Sequence, residues 1–74
     1  MSVKKKIGFR IKQLREEKDM SQKDLAYGSD LDRSYIASVE GGRRNVSIVN
    51  IEKIANALGY SLKEFFNSTQ FYDD

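Results

Sequence analysis

Apolar residues recur every three or four positions along this chain of 74 residues, a spacing that predicts helices throughout and no strand. Ile7, Ile11 and Leu14 stand at i, i+4 and i+7, so a first helix over roughly Lys4 to Glu17 would bury one stripe. Phe9 falls off that stripe and reads as cover for a flank. Ser21 is placed to cap a second helix running to about Gly28, with Gln22 and Asp24 in its first turn. Asp32 repeats the device for a third helix, in which Ile36 and Val39 face inward before Gly41 and Gly42 stop it. Ser47 opens a fourth, with Ile51, Ile54, Ala55 and Leu58 as its buried stripe and Gly59 as its terminator. Ser61 and Glu64 have the spacing of a capping box that starts a fifth, whose apolar face is Leu62, Phe65 and Phe66.

The second helix is at most two turns long, too short to be stable alone in water, and must exist by packing on its neighbour. A steep crossing of helices two and three over a turn of a few residues needs a small residue where the backbones approach, and Ala26 occupies that place. The turn also needs a residue that tolerates positive φ, which Gly28, Ser29 or Asp30 could supply. Leu31 then plugs the angle. With Ile36 and Val39 turned inward, Arg33, Ser34, Tyr35, Ala37 and Ser38 project outward with short or planar polar groups. Major-groove reading requires that arrangement, because the groove admits one α-helix and side chains near its N-terminus reach base edges. Arg33 suits a bidentate contact with guanine, Ser34 and Ser38 can bond to a base or a phosphate, and Tyr35 offers an apolar plane with a polar tip.

Composition narrows the chemistry. Cysteine and histidine are both absent, which removes disulfides, thiolate zinc sites, cysteine nucleophiles and imidazole acid–base catalysis. Serines and tyrosines without a histidine to activate them, in a domain too thin for a cleft, argue against an enzyme, and no cofactor or metal is expected. No run of about 18 apolar residues and no apolar core after the basic N-terminus occur, so the chain reads as cytoplasmic, without membrane span or signal peptide. The net charge of +2 is unevenly spread. Residues 1–20 carry seven Lys/Arg against three Asp/Glu, residues 21–46 carry four of each, and residues 47–74 carry two against four. That polarity fits a polyanion held at one side, although a basic first helix is also what an ordinary solvated face looks like.

Through "IGFRIKQLREEKDMSQKDLA", "LDRSYIASVEGGRRN" and "IEKIANALGYSLKEFF", residues 7–66 resemble the lambda-repressor-like helix-turn-helix regulators. Within them "LDRSYIASVEGGRRNVSIVNI" is similar to the controller proteins of restriction-modification systems. One position departs: the turn residue that is often glycine in the family is Asp30 here, and aspartate tolerates the left-handed conformation better than most. The resemblance implies an all-α, compact five-helix lambda-repressor-like DNA-binding domain over residues 1–68, with its helix-turn-helix at about 22–40. Residues 69–74 form a C-terminal tail expected to be disordered unless Phe71 or Tyr72 docks. It further implies that Arg33, Ser34 and Tyr35 face the groove and that Arg44 reaches a base or a neighbouring phosphate. Gln22 would hold a phosphate, with Arg43 and Asn45 gripping the backbone after helix three. Arg15 and Glu40 match positions where an ion pair fastens helix one to the end of helix three.

A domain this small contacts few base pairs, so selectivity calls for two copies on half-sites about 34 Å apart or a multiple. Ile48, Val49, Ile51 and Phe65 are the expected dimer interface. The expected function is therefore a sequence-specific transcriptional regulator acting as a homodimer on a palindromic operator, as a restriction-modification controller protein of its own operon. The competing reading is a protein-interaction module, such as an antitoxin-like regulator of a partner protein. Double-stranded DNA and a second copy are the expected partners, with RNA polymerase an optional third; no membrane and no small-molecule ligand are expected.

Overall fold

The computed structural model describes residues 1–72 of the chain. Among them, five α-helices follow one another: α1 Val3–Glu17, α2 Gln22–Ser29, α3 Arg33–Glu40, α4 Ile48–Leu58 and α5 Leu62–Phe66. A single 3₁₀ turn, Thr69–Phe71, completes the order.

Local chemistry sets most of the boundaries. The Ser2 hydroxyl accepts from the Lys5 amide at 3.3 Å and starts α1 one residue ahead of the expected Lys4. At α2 the Ser21 hydroxyl accepts from the Asp24 amide at 2.9 Å, while the Asp24 carboxylate accepts from the Ser21 amide at 3.0 Å. This reciprocal box matches that of Ser61 and Glu64, where the two bonds are 3.1 and 2.8 Å. Ser47 caps α4 through the Asn50 amide at 3.1 Å. Asp32 occupies the cap position of α3 but makes no side-chain cap bond, so its charge, rather than a hydrogen bond, favours that helix end. Of the three residues eligible for positive φ in the α2–α3 turn, Asp30 takes it, at φ 58° and ψ 44°. Leu31 then donates its amide back to Ala26 at 3.0 Å.

The helices close over one core. α1 contributes Ile7, Ile11 and Leu14, α2 Leu25 and Ala26, and α3 Ile36 and Val39. α4 adds Ile51, Ile54, Ala55 and Leu58, and α5 adds Phe65. Burying an aliphatic or aromatic side chain of this size contributes roughly 1.5–3 kcal/mol each, which is how α2, α3 and α5 persist at lengths that would not survive alone.

Two features of α1 escaped the sequence pattern. Gly8 is buried because α1 crosses α3 there: a Cβ at this position would meet the Val39 carbonyl oxygen and lie 2.6 Å from that of Glu40. Arg10 spans to α5, donating from Nε to the Phe65 carbonyl at 2.7 Å and from Nη2 to the Glu64 carbonyl at 2.9 Å. It thus satisfies carbonyls that the short α5 leaves open at its C-terminus.

The tail departs from the expected disorder as far as it is described. Phe71 packs on the core beside Phe65 and Phe66, its ring centroid 5.0 Å from that of Phe66 and 6.4 Å from that of Phe65. Apolar contact of this kind holds a segment that has no helical periodicity of its own. The expectation for Asp73 and Asp74 lies outside the described residues.

Candidate nucleic-acid interface

The orientation of α3 is fixed before any partner is considered. At about 100° per residue, Ile36 and Val39 share the inner side of an eight-residue helix and Ser34, Ala37 and Ser38 the outer, while Arg33 and Glu40, seven residues apart, lie along one edge at its opposite ends. The inner side is sealed, with Ile36 and Val39 buried and the Glu40 side chain only 4% exposed. Glu40 receives Arg15 of α1 through two parallel bonds, Nε to Oε2 at 2.7 Å and Nη2 to Oε1 at 3.0 Å. Arg15 also donates to the Met20 carbonyl at 2.8 Å. The Glu40 hydrogen bond holds the Arg15 proton more tightly than usual, against the opposing effect of burial. Such a fork-to-fork pair fixes geometry as well as charge, and here it nails the C-terminal end of α3 to α1.

Gln22 falls beside this pair. Its side-chain amide donates one hydrogen bond to Glu40 Oε1 at 3.1 Å, which orients the half-buried side chain and leaves its second N–H uncommitted among the described residues. The bond follows from the 4% exposure of Glu40, since a carboxylate so desolvated takes every donor in reach. α2 also offers outward its positive N-terminal end, around Gln22 and Lys23.

Across the outer side, Arg33 and Ser34 are exposed and Ser38 is half-buried. None of the three makes a side-chain hydrogen bond or ion pair among the described residues. Tyr35 lies on the flank toward α4, half-buried, and its hydroxyl oxygen accepts from Asn50 Nδ2 at 3.0 Å. The Arg44 guanidinium lies over the Tyr35 ring, 5.0 Å from its centroid. The loop after α3 therefore folds its second arginine back onto the Tyr35 flank of the helix. Arg43 instead lies back over Gly41, with Nη2 3.5 Å from the Ala37 carbonyl, a long contact at the open end of α3. Asn45 is exposed.

The four expected interface residues divide. Ile48 and Val49 stand 70% and 59% exposed at the start of α4. Ile51 and Phe65 do not reach the surface, at 5% and 0%, because their side chains fill the core of the same protomer. Their assignment to an interface is thereby corrected. Ala37, turned outward with Ser34, adds only a small apolar surface. Asn50 was missed by the sequence reading; its one signal is position, since Asn50, Ile54 and Leu58 form a row at i, i+4 and i+8 whose other members are buried.

Machinery for other chemistry is sparse. Among the described residues no group of His, Cys, Asp and Glu could hold a metal ion, and no helix is long and apolar enough to cross a membrane. One shallow depression is lined by Phe9, Lys12, Gln13, Glu16 and Glu17 and another by Gly28, Ser29, Asp30, Lys53, Asn56 and Ala57; the buried Ser29 hydroxyl is committed to the Leu25 carbonyl at 2.7 Å.

Two short helices crossing over a left-handed aspartate, with a polar face held outward on the second, define a helix-turn-helix protein. A helix-turn-helix family model matches residues 11–65, and the chain belongs to that family. Within it the likeness is to control proteins. Control protein C.MunI from Mycoplasma sp is 48% identical over 92% of this chain and 93% of its own, and control protein C.BamHI from Bacillus amyloliquefaciens is 48% identical over 84% and 78%. The crystal structure of the restriction-modification controller protein C.AhdI from Aeromonas hydrophila superposes with a TM-score of 0.82 at 51% identity, covering 85% of this chain and 96% of that one. The restriction-modification controller protein C.Esp1396I, solved as a tetramer in complex with its natural 35 base-pair operator, gives 0.84 at 45% identity over 89% and 88%.

Proposed function

We propose that the protein is a sequence-specific DNA-binding transcriptional regulator that acts as a homodimer on a palindromic operator and controls a restriction-modification operon containing its own gene. The observation that carries this reading is the exposed surface of α3, where Arg33 and Ser34 have no side-chain partner among the described residues, on a helix held from its inner side by Ile36 and Val39 and at its C-terminal end by Glu40. Likeness to a relative solved on its operator supports the same reading. Arg33 reads a guanine, Ser34 and Tyr35 meet base edges, and Arg44 approaches the groove from the Tyr35 side. Ser38, Arg43, Asn45 and the amide-rich start of α2 at Gln22 contact phosphates. Ile48 and Val49 form the centre of the surface between two copies, which sets two α3 helices on successive turns of the duplex. The protein works without catalysis and in the cytoplasm, where its DNA target lies.

Fluorescence titration against the DNA upstream of its own reading frame, at two salt concentrations, tests this. Affinity falls as salt rises, because phosphate neutralisation releases counterions. Arg33→Ala weakens the operator by about 1–3 kcal/mol, more than it weakens unrelated DNA, so the specific-to-nonspecific ratio falls. A wild-type protein that binds the upstream DNA no better than an unrelated duplex would refute the assignment.

A further inference from the structure

Asn50 sits in a row of α4 that otherwise points into the core, one residue before the buried Ile51 and one turn before Ile54. An apolar residue there would simply extend the stripe. The amide is instead spent on Tyr35, whose hydroxyl oxygen it approaches to 3.0 Å. The position of Asn50 is itself fixed, since its backbone amide is held by the Ser47 cap at 3.1 Å. We infer that Asn50 is a positioning residue that sets the hydrogen-bond polarity of Tyr35 and thereby specifies which base edge Tyr35 accepts. This inference rests on the DNA-reading role proposed above.

A phenolic hydroxyl carries one donor and acceptor lone pairs. With the Asn50 amide donating into the oxygen, the hydroxyl hydrogen turns away from Asn50, toward the open side of α3. Tyr35 then presents a donor to the groove. Donors are met by guanine O6 and N7, adenine N7 and thymine O4, whereas the amino group of cytosine offers only another donor. Arg44, stacked over the ring at 5.0 Å, holds the plane from a second direction, so the ring is ordered before binding and less freedom is lost when DNA arrives.

The test selects a preferred operator from a randomised duplex library with the wild-type protein. Asn50→Ala, Tyr35→Phe and the double variant are then titrated on that operator and on an unrelated duplex. Each single variant weakens the operator by about 3- to 10-fold, the range of one hydrogen bond. The double variant is no weaker than Tyr35→Phe, because the Asn50 effect passes through the hydroxyl. Binding to the unrelated duplex and the salt slope stay at the wild-type values. Independent, multiplying losses, or an equal loss on both duplexes, would overturn the inference. Asn50→Asp gives the second arm: its carboxylate accepts the Tyr35 hydroxyl hydrogen, turns lone pairs outward, and makes one position of the selected sequence tolerate cytosine. An unchanged base preference for that variant overturns the polarity argument even if all four proteins bind. If the wild-type protein selects no sequence at all, the proposed function itself has failed, an outcome distinct from selection without coupling.

Discussion

Glu40 accepts three hydrogen bonds, two from Arg15 at 2.7 and 3.0 Å and one from Gln22 at 3.1 Å, in a place where 4% of its side chain and 11% of that of Arg15 remain exposed. Replacing it by alanine strands the Arg15 guanidinium with only the Met20 carbonyl at 2.8 Å. Removing one partner of a buried pair costs about 3–5 kcal/mol, because the remaining charge stays desolvated. A chain of this length has roughly 4–11 kcal/mol in total, at about 0.05–0.15 kcal/mol per residue. Glu40→Ala should therefore consume a large part of the stability and lower the melting temperature by about 12–40 °C, at roughly 4–8 °C per kcal/mol for a domain of this size. Urea unfolding followed by circular dichroism measures the loss, at fixed protein concentration because any self-association would raise apparent stability by mass action. The paired change Arg15→Met with Glu40→Leu should be less harmful than Glu40→Ala alone, since it removes both charges and leaves none unmatched. A loss below about 1 kcal/mol for Glu40→Ala, the scale of an exposed pair, would refute the claim that α3 is fastened here.

Gly8→Ala should destabilise by about 1–3 kcal/mol in the same assay, although alanine is the better helix former, because the new methyl meets backbone carbonyls of Val39 and Glu40 that cannot turn aside. Asp30→Gly should raise stability by about 0.5 kcal/mol by relieving a left-handed backbone at φ 58°, and Asp30→Val should lower it; equal unfolding midpoints for the two would contradict this. Asp24 and Glu64 titrate below the usual carboxylate range, held there first by the backbone amides of Ser21 and Ser61 and then by their hydroxyls. Since the folded values are depressed, the stabilisation is complete above about pH 4–5 and is lost as the pH falls through them. Asp24→Asn should accordingly flatten the acid side of the stability profile, and an unaltered profile would count against the capping box.

What could be seen in the sequence was what is decided within a turn of helix. Ser21, Ser47 and Ser61 cap, Gly59 terminates, and the stripes Ile7–Ile11–Leu14 and Ile51–Ile54–Leu58 are buried, because each outcome depends on neighbours three or four residues away. The outward face of Arg33 and Ser34 followed from the same periodicity. Contacts between distant segments did not follow. Phe65 and Ile51 are as apolar as any interface residue, and only the packed tertiary structure shows that their own protomer consumes them. Nothing local to Gln22 reveals that its amide also reaches the buried Glu40, 18 positions on. Phe71 has no helical period to announce it and is ordered by the rings of Phe65 and Phe66.

Eight residues of helix cannot hold their own direction, so the aim of α3 is inherited from elsewhere. Three ties set it, each to a different helix: Leu31 to Ala26 of α2 at the turn, Tyr35 to Asn50 of α4, and Glu40 to Arg15 of α1. Displacing recognition side chains by about half an ångström degrades a site, so, on the DNA-reading role proposed for α3, a residue that never meets DNA would still govern affinity. Gly8 is such a residue, because its missing side chain sets how closely α1 approaches the end of α3. The α4 tie has a further consequence, for Asn50 directly follows the exposed Ile48 and Val49. On the roles proposed above, a shift of α4 under a second copy docked at Ile48 and Val49 would reach Tyr35 through that one hydrogen bond, so the proposed pairing and reading surfaces would be mechanically continuous rather than independent faces of the domain.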